Sequence, residues 1–197
     1  MTTHLLYLHG FRSSPQSTKA RQVAARVAEM NATRPHQVTL WCPQLPPSPR
    51  DAIALVQQGT AKWPVNSRAV IGSSLGGFYA TWVAEHCGCK AVLLNPAVNP
   101  ARDLGKHLGV QTSWHDPRET FVVHEGYLDE LRALECGPVA RPAQYFSVIA
   151  KGDEVLDWRE MTARYPGTRI KLLPGSDHGL TDFDDHMDEV FDFLGLL

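Results

Sequence analysis

The sequence contains only four cysteines, and only Cys87 and Cys89 lie close together along the chain. Cys42 and Cys136 stand alone, so no second pair completes the spacing of a zinc-binding motif. A chain with so few thiols and no such spacing is not expected to depend on disulfides. We therefore expect reduced cysteines, no metal site and no redox role for these thiols.

An excess of charge of one sign is also missing, because 19 Lys and Arg residues stand against 21 Asp and Glu residues. This balance, with the basic residues dispersed, argues against the basic surface of a nucleic-acid-binding protein. The first residues, MTTHLLYLHGF, have only a brief apolar run and lack the basic start of a signal peptide. These absences predict a cytoplasmic protein without nucleic-acid partners or membrane insertion.

What the sequence does contain is a regular alternation of strand-like and helix-like segments. Six apolar or β-rich runs end in turn signals, and four segments have helical periodicity. The strand-like runs are 5–10, 38–43, 68–73, 90–96, 144–153 and 168–178, and the helical segments are 16–30, 50–61, 75–87 and 182–194. The alternation predicts one α/β domain over residues 1–197, with a mostly parallel sheet of about six strands and helices on both faces.

Residues 97–142 interrupt this alternation with a long passage between two strands. The passage contains helix-like pieces at about 100–108 and 125–135 and two polar turns. An insertion of this kind often covers a site, although a plain surface excursion is an equally good interpretation. We therefore expect either a small cap over the site or a surface loop.

The stretch VIGSSLGG contains two adjacent serines in the context of a strand, a turn and a helix. In the G-x-S-x-G motif a nucleophilic serine lies on a sharp turn whose close packing leaves no room for side chains two residues away. Gly72 and Gly76 flank Ser74 at this distance, whereas larger residues flank Ser73. The pattern predicts Ser74 as a nucleophile, with a chemically inert tight turn as the alternative.

A serine hydroxyl needs a base at neutral pH, and nine histidines compete for this role. His178 follows the last predicted strand, in GSDHGL, and Ser74 also follows a strand. Because the carboxyl ends of parallel strands meet at one edge, both side chains are expected there. His9 follows a strand too, but its loop has another expected role. The others are expected to be surface or structurally bonded residues: His4, His36, His86, His107, His115, His124 and His186.

The acid that orients the imidazole should also follow a strand. Asp153 lies directly after SVIAKG, with Glu154 and Asp157 as nearby rivals. Asp157 is expected at the start of a helix, where a carboxylate is favourable as a cap. Asp177 adjoins His178, and adjacent residues in a turn rarely align for such a bond. We therefore predict Asp153 as the acid.

The order serine, acid, histidine is that of the α/β-hydrolases. The motifs LYLHGFRSSPQSTKA, VIGSSLGGFYATWVAE, LLNPAVNP, KGDEVLDW and GSDHGL together resemble the small bacterial esterases of the YqiA/UPF0227 family. The resemblance implies a three-layer α/β-hydrolase fold with a reduced sheet, and hydrolysis of carboxylic esters or acyl-CoA thioesters. It also implies Ser74 as nucleophile, Asp153 as acid and His178 as base.

The oxyanion hole should use the backbone N–H of Leu75, at the start of a helix, and a second N–H from the first strand–helix loop. By resemblance the second donor is Phe11, and His9 and Gly10 hold the shape of the loop. Arg12 either attracts an anionic substrate or is a solvated surface arginine. The aromatic residues of the insertion, Trp114, Phe121 and Tyr127, are candidates for lining the acyl pocket or for the core.

These predictions define a serine hydrolase that cleaves short- to medium-chain carboxylic esters through an acyl-enzyme, with no metal or organic cofactor. The expected partner is a small-molecule acyl ester or thioester. One alternative is an acyl-CoA thioesterase, which an excess of basic residues around the pocket would favour. Another is a non-catalytic binding protein on a hydrolase fold. A dinucleotide-binding domain is disfavoured because no G-x-G-x-x-G follows the first strand.

Overall fold

The computed structural model describes all residues from 1 to 197 and contains eight β-strands and seven α-helices. The strands are β1 (His4–Leu8), β2 (Thr39–Trp41), β3 (Arg68–Ser73), β4 (Lys90–Leu94), β5 (Gly109–Thr112), β6 (Thr120–Val123), β7 (Tyr145–Ala150) and β8 (Arg169–Leu173). The helices are α1 (Thr18–Thr33), α2 (Pro49–Thr60), α3 (Leu75–Cys87), α4 (Pro100–Leu104), α5 (Glu125–Ala133), α6 (Trp158–Arg164) and α7 (Met187–Leu194). Four short 3₁₀ helices lie at Val65–Ser67, Gly105–His107, Pro142–Gln144 and Phe183–His186.

Six strands form one sheet in the order β2-β1-β3-β4-β7-β8, and every neighbouring pair is parallel. The predicted parallel sheet is therefore confirmed, and the six strands are the six strand-like runs of the sequence. The carboxyl ends of β3, β4, β7 and β8 consequently lie next to one another at one edge of the sheet. This edge carries the turns after Ser73, Leu94, Ala150 and Leu173.

The two faces of the sheet pack against different helices, because successive side chains of a strand point to opposite sides. In β1, Leu5 and Tyr7 join the apolar cluster formed with α1 and α7, while Leu6 and Leu8 join the cluster formed with α2, α3 and α5. All four side chains are almost completely buried. The result is a three-layer arrangement in which helices cover both faces, as the alternation of segments predicts.

Local sequence signals account for the helix boundaries around the sheet. The observed β3 and α3 coincide with the predicted ranges 68–73 and 75–87. Ser48 caps α2, since its hydroxyl accepts a hydrogen bond from the backbone N–H of Asp51 at 3.2 Å. Gly88 ends α3 with a φ of 67°, a conformation that is easy only for glycine.

The passage 97–142 contains a β-hairpin that the sequence analysis did not predict. The expected helical pieces correspond to α4 and α5, but between them β5 and β6 pair as an antiparallel two-stranded sheet. Val110 lies directly opposite Val122 in this hairpin, and both side chains are exposed. The two strands have four residues each, too short for a clear alternation of apolar and polar residues. This segment, residues 109–123, is called the hairpin below.

All four cysteines are free thiols. Cys89 is buried and Cys42 is partly buried, and burial raises the pKa of each thiol to about 12. Both groups therefore remain protonated at neutral pH. No three histidine, cysteine or carboxylate side chains lie close enough together to bind a metal ion.

None of the helices is long and apolar enough to cross a lipid bilayer.

Candidate active site

Ser74 occupies a strained turn between β3 and α3. Its backbone has φ 56° and ψ −121°, which is unusual for a residue with a side chain. A β-carbon at Gly72 would lie 2.1 Å from the carbonyl oxygen of Gly76, and one at Gly76 would lie 2.0 Å from the carbonyl oxygen of Leu8. Any side chain at these two positions would clash with the backbone, so both glycines are needed for the turn. The turn places the Ser74 hydroxyl at the edge of the sheet.

Three side chains from distant parts of the sequence meet at this edge. Nε2 of His178 lies 3.0 Å from Oγ of Ser74, and Nδ1 of His178 lies 2.8 Å from Oδ2 of Asp153. Each residue follows the carboxyl end of its strand, namely β3, β7 or β8. Since an ionised carboxylate only accepts hydrogen bonds, Nδ1 carries the proton and Nε2 is left to accept one from the serine.

The Asp153 carboxylate is completely buried and fully bonded. Besides the imidazole, it accepts hydrogen bonds from the backbone N–H groups of Val155 and Leu156, both at 2.8 Å. These bonds hold the carboxylate in one orientation. The imidazole of His178 is 21% exposed, so it also reaches the adjoining cavity.

The rival carboxylates have other partners. Asp157 caps α6 by accepting a hydrogen bond from the backbone N–H of Arg159 at 2.8 Å, as its position in the sequence predicts. Asp177 accepts a hydrogen bond from the backbone N–H of Thr181 within its own turn. Glu154 accepts one from the backbone N–H of His178 at 3.1 Å, and thus holds the histidine loop rather than the imidazole.

Two backbone N–H groups near Ser74 have no hydrogen-bond acceptor in the protein that would compete with a substrate. Leu75 is the first residue of α3, where backbone N–H groups have no partner within the helix. The N–H of Phe11, in the loop after β1, likewise has no acceptor in the protein. Such groups can stabilise negative charge on an oxygen at the reacting carbon, helped by the positive end of the helix dipole.

His9 holds the loop that carries the Phe11 N–H. Its Nε2 accepts a hydrogen bond from the backbone N–H of Leu45 at 3.1 Å, and its Nδ1 donates to the carbonyl oxygen of Gly10 at 3.0 Å. The imidazole is therefore neutral in the form with a proton on Nδ1. Burial lowers the pKa of His9. The bond to Gly10 acts in the opposite direction, and the nearby imidazole of His115 acts in the same direction as burial.

Arg12 connects the same loop to the hairpin. Its Nε donates to the carbonyl oxygen of Thr112 at 2.6 Å, and the backbone N–H of Trp114 donates to the carbonyl oxygen of Arg12 at 2.9 Å. The guanidinium also stacks on the Trp114 ring, 4.1 Å from its centre. Arg12 makes these contacts from a left-handed backbone conformation with φ 59°.

Two cavities are lined by the loop after β1. The first, of about 480 Å³, is lined by Ser74 and His178 and is called the serine cavity here. The second, of about 790 Å³, is lined by Leu75 and Tyr79 but not by His178, and is called the outer cavity. Phe11 and Arg12 line both. Ser74 and His178 thus line only the serine cavity, whereas Leu75 and Phe11, which carry the two free N–H groups, line the outer cavity.

The three aromatic residues predicted as pocket lining occupy different positions. Trp114 lines the serine cavity and is 68% exposed, whereas Phe121 lines the outer cavity and packs edge-to-face on Phe11. Tyr127 lines neither cavity. It lies on α5, contacts the ring of His124 and packs against the core. The structure therefore brings two of the three residues to the site, and the direction of α5 keeps the third away.

Asn95 is a site residue that the sequence analysis missed. Its buried side chain donates to the carbonyl oxygens of Asp177 and His178, at 2.9 and 3.2 Å, and accepts from the backbone N–H of Ala150 at 2.8 Å. It follows β4 and so joins the end of β7, where Asp153 follows, to the histidine loop. The motif LLNP contains the residue, but only the order of the strands in the sheet shows which groups it joins.

Comparison with known structures identifies the fold. A protein from Agrobacterium vitis S4 matches with a TM-score of 0.73 and 14% identity, over 97% of this chain and 87% of the other. Alpha/beta hydrolase domain-containing protein 10 from mouse matches with a TM-score of 0.71 and 14% identity, over 98% and 91%. Est1E from Butyrivibrio proteoclasticus, with ferulic acid bound, matches with a TM-score of 0.67 and 15% identity, over 98% and 86%. The chain therefore has the α/β-hydrolase fold, as the sequence resemblance implies.

The family is established by a separate comparison. The uncharacterised protein family UPF0227 matches residues 4–195, which is nearly the whole chain. The protein therefore belongs to this family, and the resemblance noted from the sequence motifs is confirmed.

Proposed function

We propose that this protein is a serine hydrolase that cleaves short- to medium-chain carboxylic esters through an acyl-enzyme. The observation that carries this proposal is the unbroken series of contacts from Asp153 through His178 to Ser74, at 2.8 and 3.0 Å. Two free backbone N–H groups lie beside the serine in the same turn region. The serine hydroxyl and the imidazole line a cavity instead of packing into the core. Their contacts therefore suit a reaction with a bound molecule better than a purely structural role.

In the first half of the reaction, Oγ of Ser74 attacks the acyl carbon and its proton passes to Nε2 of His178. The carbonyl oxygen becomes negatively charged and accepts hydrogen bonds from the N–H groups of Phe11 and Leu75. The bond to the leaving oxygen then breaks, and this oxygen takes the proton from Nε2. Asp153 stabilises the positive imidazole between the two proton transfers.

In the second half, a water molecule attacks the acyl carbon of the Ser74 ester and gives a proton to Nε2 of His178. The bond between the acyl carbon and Oγ breaks, and Oγ recovers the proton. The carboxylic acid leaves, and the enzyme returns to its starting state. Three side chains and two backbone N–H groups therefore account for every proton transfer and for the stabilisation of both charged groups in these steps.

The proposal is tested by labelling with a fluorophosphonate probe and by hydrolysis of p-nitrophenyl esters. We expect the probe to label Ser74, and Ser74→Ala protein to lose both labelling and turnover while remaining folded. The Ser73→Ala protein should still be labelled, and Ser67→Ala, at the opposite end of β3, should retain turnover. Labelling or turnover that persists in folded Ser74→Ala protein would contradict the proposal. A protein that is never labelled would instead favour the non-catalytic alternative.

Hydrolysis of acyl-CoA thioesters is the second candidate, and the same three residues would carry it. One observation supports it: the serine cavity is lined by Arg12 and Lys19 and by no carboxylate. Comparing oxygen esters and thioesters with the same acyl chain, over a range of chain lengths, separates the two candidates. A higher kcat/KM for the thioester series would favour the second.

A further inference from the structure

The ionisable side chains that line the serine cavity are all cationic or neutral bases, apart from the Tyr7 phenol. No aspartate or glutamate is among the seventeen lining residues. The ionisable bases that line it are Arg12, Lys19, His9, His107, His115 and His178. The outer cavity differs, since it contains Glu119 as well as Arg118. The two cavities therefore differ in the balance of their lining charges: Arg12 and Lys19 face no carboxylate in the serine cavity, whereas Glu119 offsets part of the charge of Arg12 and Arg118 in the outer cavity.

The charge of Arg12 has no carboxylate to balance it. No ion pair joins Arg12 to an aspartate or glutamate within 4 Å, although most other arginines on the surface have such a partner. One face of its guanidinium stacks on Trp114, and Nε is bonded to Thr112. The two terminal nitrogens donate no hydrogen bond to the protein, so they remain free for an acceptor. The fork geometry of these nitrogens suits a carboxylate or phosphate.

Lys19 adds a second positive charge to the lining of the serine cavity. Its ammonium donates to the carbonyl oxygen of Gly179, next to His178. Burial lowers the pKa of Lys19 to about 8, while the charges of Asp177 and Asp153 act in the opposite direction. A pKa near 8 leaves Lys19 mostly charged at pH 7. Because the two aspartates partly balance this charge, Arg12 is the stronger anion-binding group.

Tyr7 provides a buried donor in the same cavity. The side chain is almost completely buried, and its hydroxyl makes no hydrogen bond of normal length, with the side chain of Ser73 as its nearest polar neighbour. An unpaired buried hydroxyl costs free energy, so it commonly has a partner in the functional state of a protein. Burial raises the pKa of Tyr7, which keeps the phenol protonated and able to donate. The cavity thus combines two charges with an unused donor.

The position of His178 decides which half of the substrate enters the serine cavity. In the proposed reaction Nε2 of His178 protonates the leaving group, so the leaving group must lie on the side of the imidazole. His178 lines the serine cavity and is absent from the outer cavity. Ser74 also lines only the serine cavity, so the acyl chain would reach the outer cavity past Phe11 and Leu75, which line it together with Phe121 and Tyr79.

We infer that the alcohol or thiol released by this enzyme carries an anionic group, a carboxylate or a phosphate, which Arg12 binds in the serine cavity with help from Lys19. This inference rests on the proposed serine hydrolase function and specifies its substrate class. Neutral esters are still hydrolysed, because the catalytic groups are the same, but with a lower kcat/KM.

The first test compares pairs of substrates that differ by one anionic group. One pair is the butyrate ester of a nitrophenol with and without a carboxylate on the ring. A second pair is butyryl-phosphopantetheine and butyryl-pantetheine, which differ by one phosphate. A third compares the nitrophenyl ester of pentanoate with the nitrophenyl monoester of glutarate, where the carboxylate is on the acyl side.

We expect about a ten- to hundredfold higher kcat/KM for the anionic member of the first or second pair, and no such preference in the third. Whichever of the first two pairs shows the preference identifies carboxylate or phosphate as the bound group.

Three variants test the assignment to Arg12. In Arg12→Gln the preference should fall to near one, and in Lys19→Gln it should fall by a smaller factor. The ratio within a pair is the measured quantity, because Arg12 also holds the loop of Phe11 and its loss lowers the rate with every substrate. Arg21→Gln is the matched control, since it removes the same charge from an exposed position on α1 outside the cavity. The preference should also weaken as salt is added.

The outcomes separate the inference from the function on which it rests. Equal kcat/KM within the first two pairs, together with labelling of Ser74, overturns the inference and leaves the hydrolase proposal standing. A preference that survives in Arg12→Gln also overturns it. If no ester is cleaved, the hydrolase proposal fails, and binding of phosphopantetheine and pantetheine to the wild-type protein is measured by calorimetry. Tighter binding of the phosphate form that Arg12→Gln abolishes supports the anion site, and equal binding overturns it.

Discussion

Asn95 offers the most direct test of how the fold positions the imidazole. Its side chain is 1% exposed and uses both amide hydrogens and the amide oxygen. The amide hydrogens bind the carbonyl oxygens of Asp177 and His178, and the oxygen binds the N–H of Ala150. Asn95→Asp preserves the size of the side chain and the bond to Ala150. It replaces the donor with an oxygen that faces two carbonyl oxygens.

The magnitude follows from the bonds that are lost. The partly buried carbonyl group of His178 loses its donor, whereas that of Asp177 keeps the backbone N–H of Leu180. An unsatisfied buried group costs about 1 to 3 kcal/mol. We therefore expect Asn95→Asp to lower the free energy of unfolding by about 1 to 3 kcal/mol, out of a usual total of about 5 to 15 kcal/mol. The φ of 43° at this position does not confound the comparison, because asparagine and aspartate both tolerate that region.

The kinetic effect should appear in kcat. The substitution releases the backbone of the histidine loop, so the imidazole spends less time within reach of Ser74. A displacement of about 1 Å at a catalytic group can reduce the rate on the order of a hundredfold, and we expect a loss of about ten- to hundredfold in kcat with KM little changed. The assays are thermal unfolding and the hydrolysis of a p-nitrophenyl ester at saturating concentration.

The matched control is Asn66→Asp, which makes the same chemical change at an exposed position in the 3₁₀ helix before β3. This variant should keep both the stability and the kcat of the wild type. If Asn95→Asp also retained both, Asn95 would not position the histidine loop. If it lost stability but kept kcat, its role would be confined to packing.

Three further substitutions test other parts of the site. Asp153→Asn should reduce kcat on the order of 10⁴-fold, whereas Asp157→Asn should change it little because asparagine is an equally good helix cap; the reverse order would move the acid to Asp157. The buried neutral His9 should contribute stability that is present above about pH 6.5 and is lost as the pH falls below it, since the unfolded chain then takes up a proton that the folded one resists. Thermal unfolding of the wild type should therefore respond more steeply to pH between about 5 and 7 than that of His9→Asn, and parallel curves would contradict this. Gly76→Ala should destabilise the protein by about 1 to 3 kcal/mol or more and lower turnover, because its methyl group would lie 2.0 Å from a backbone oxygen of β1. Gly126→Ala is the control, since the space around Gly126 is open. Equal effects of the two substitutions would refute the steric argument.

Much of the fold could be predicted from the sequence because its signals are local. The strand β3, the turn at Ser74 and the helix α3 follow one another within twenty residues, and their observed bounds match the predicted ones. The placement of His178 and Asp153 needed one more rule, that the carboxyl ends of parallel strands share an edge. The structure brings both residues to Ser74, and their catalytic roles stay predictions until they are tested.

The features that escaped prediction depend on contacts between distant segments. The hairpin has two four-residue strands whose pairing is not visible in either strand alone. The role of Asn95 arises only because β4 lies between β3 and β7 in the sheet. The sequence also left open whether Arg12 is a solvated residue. Its stacking on Trp114 and its bond to Thr112, a hundred residues away, are tertiary contacts.

Under the hydrolase function proposed above, the link between Arg12 and the hairpin would affect which substrates are processed quickly. The loop of the Phe11 N–H and the hairpin share two hydrogen bonds and a stacked pair of side chains. A bulky molecule that pushed the hairpin outward would pull on this loop and displace one of the two amide donors. Such a molecule could still bind, but its oxyanion would be poorly stabilised. Selection by size would then operate on the chemical step, so that oversized substrates become slow substrates or inhibitors rather than being kept out.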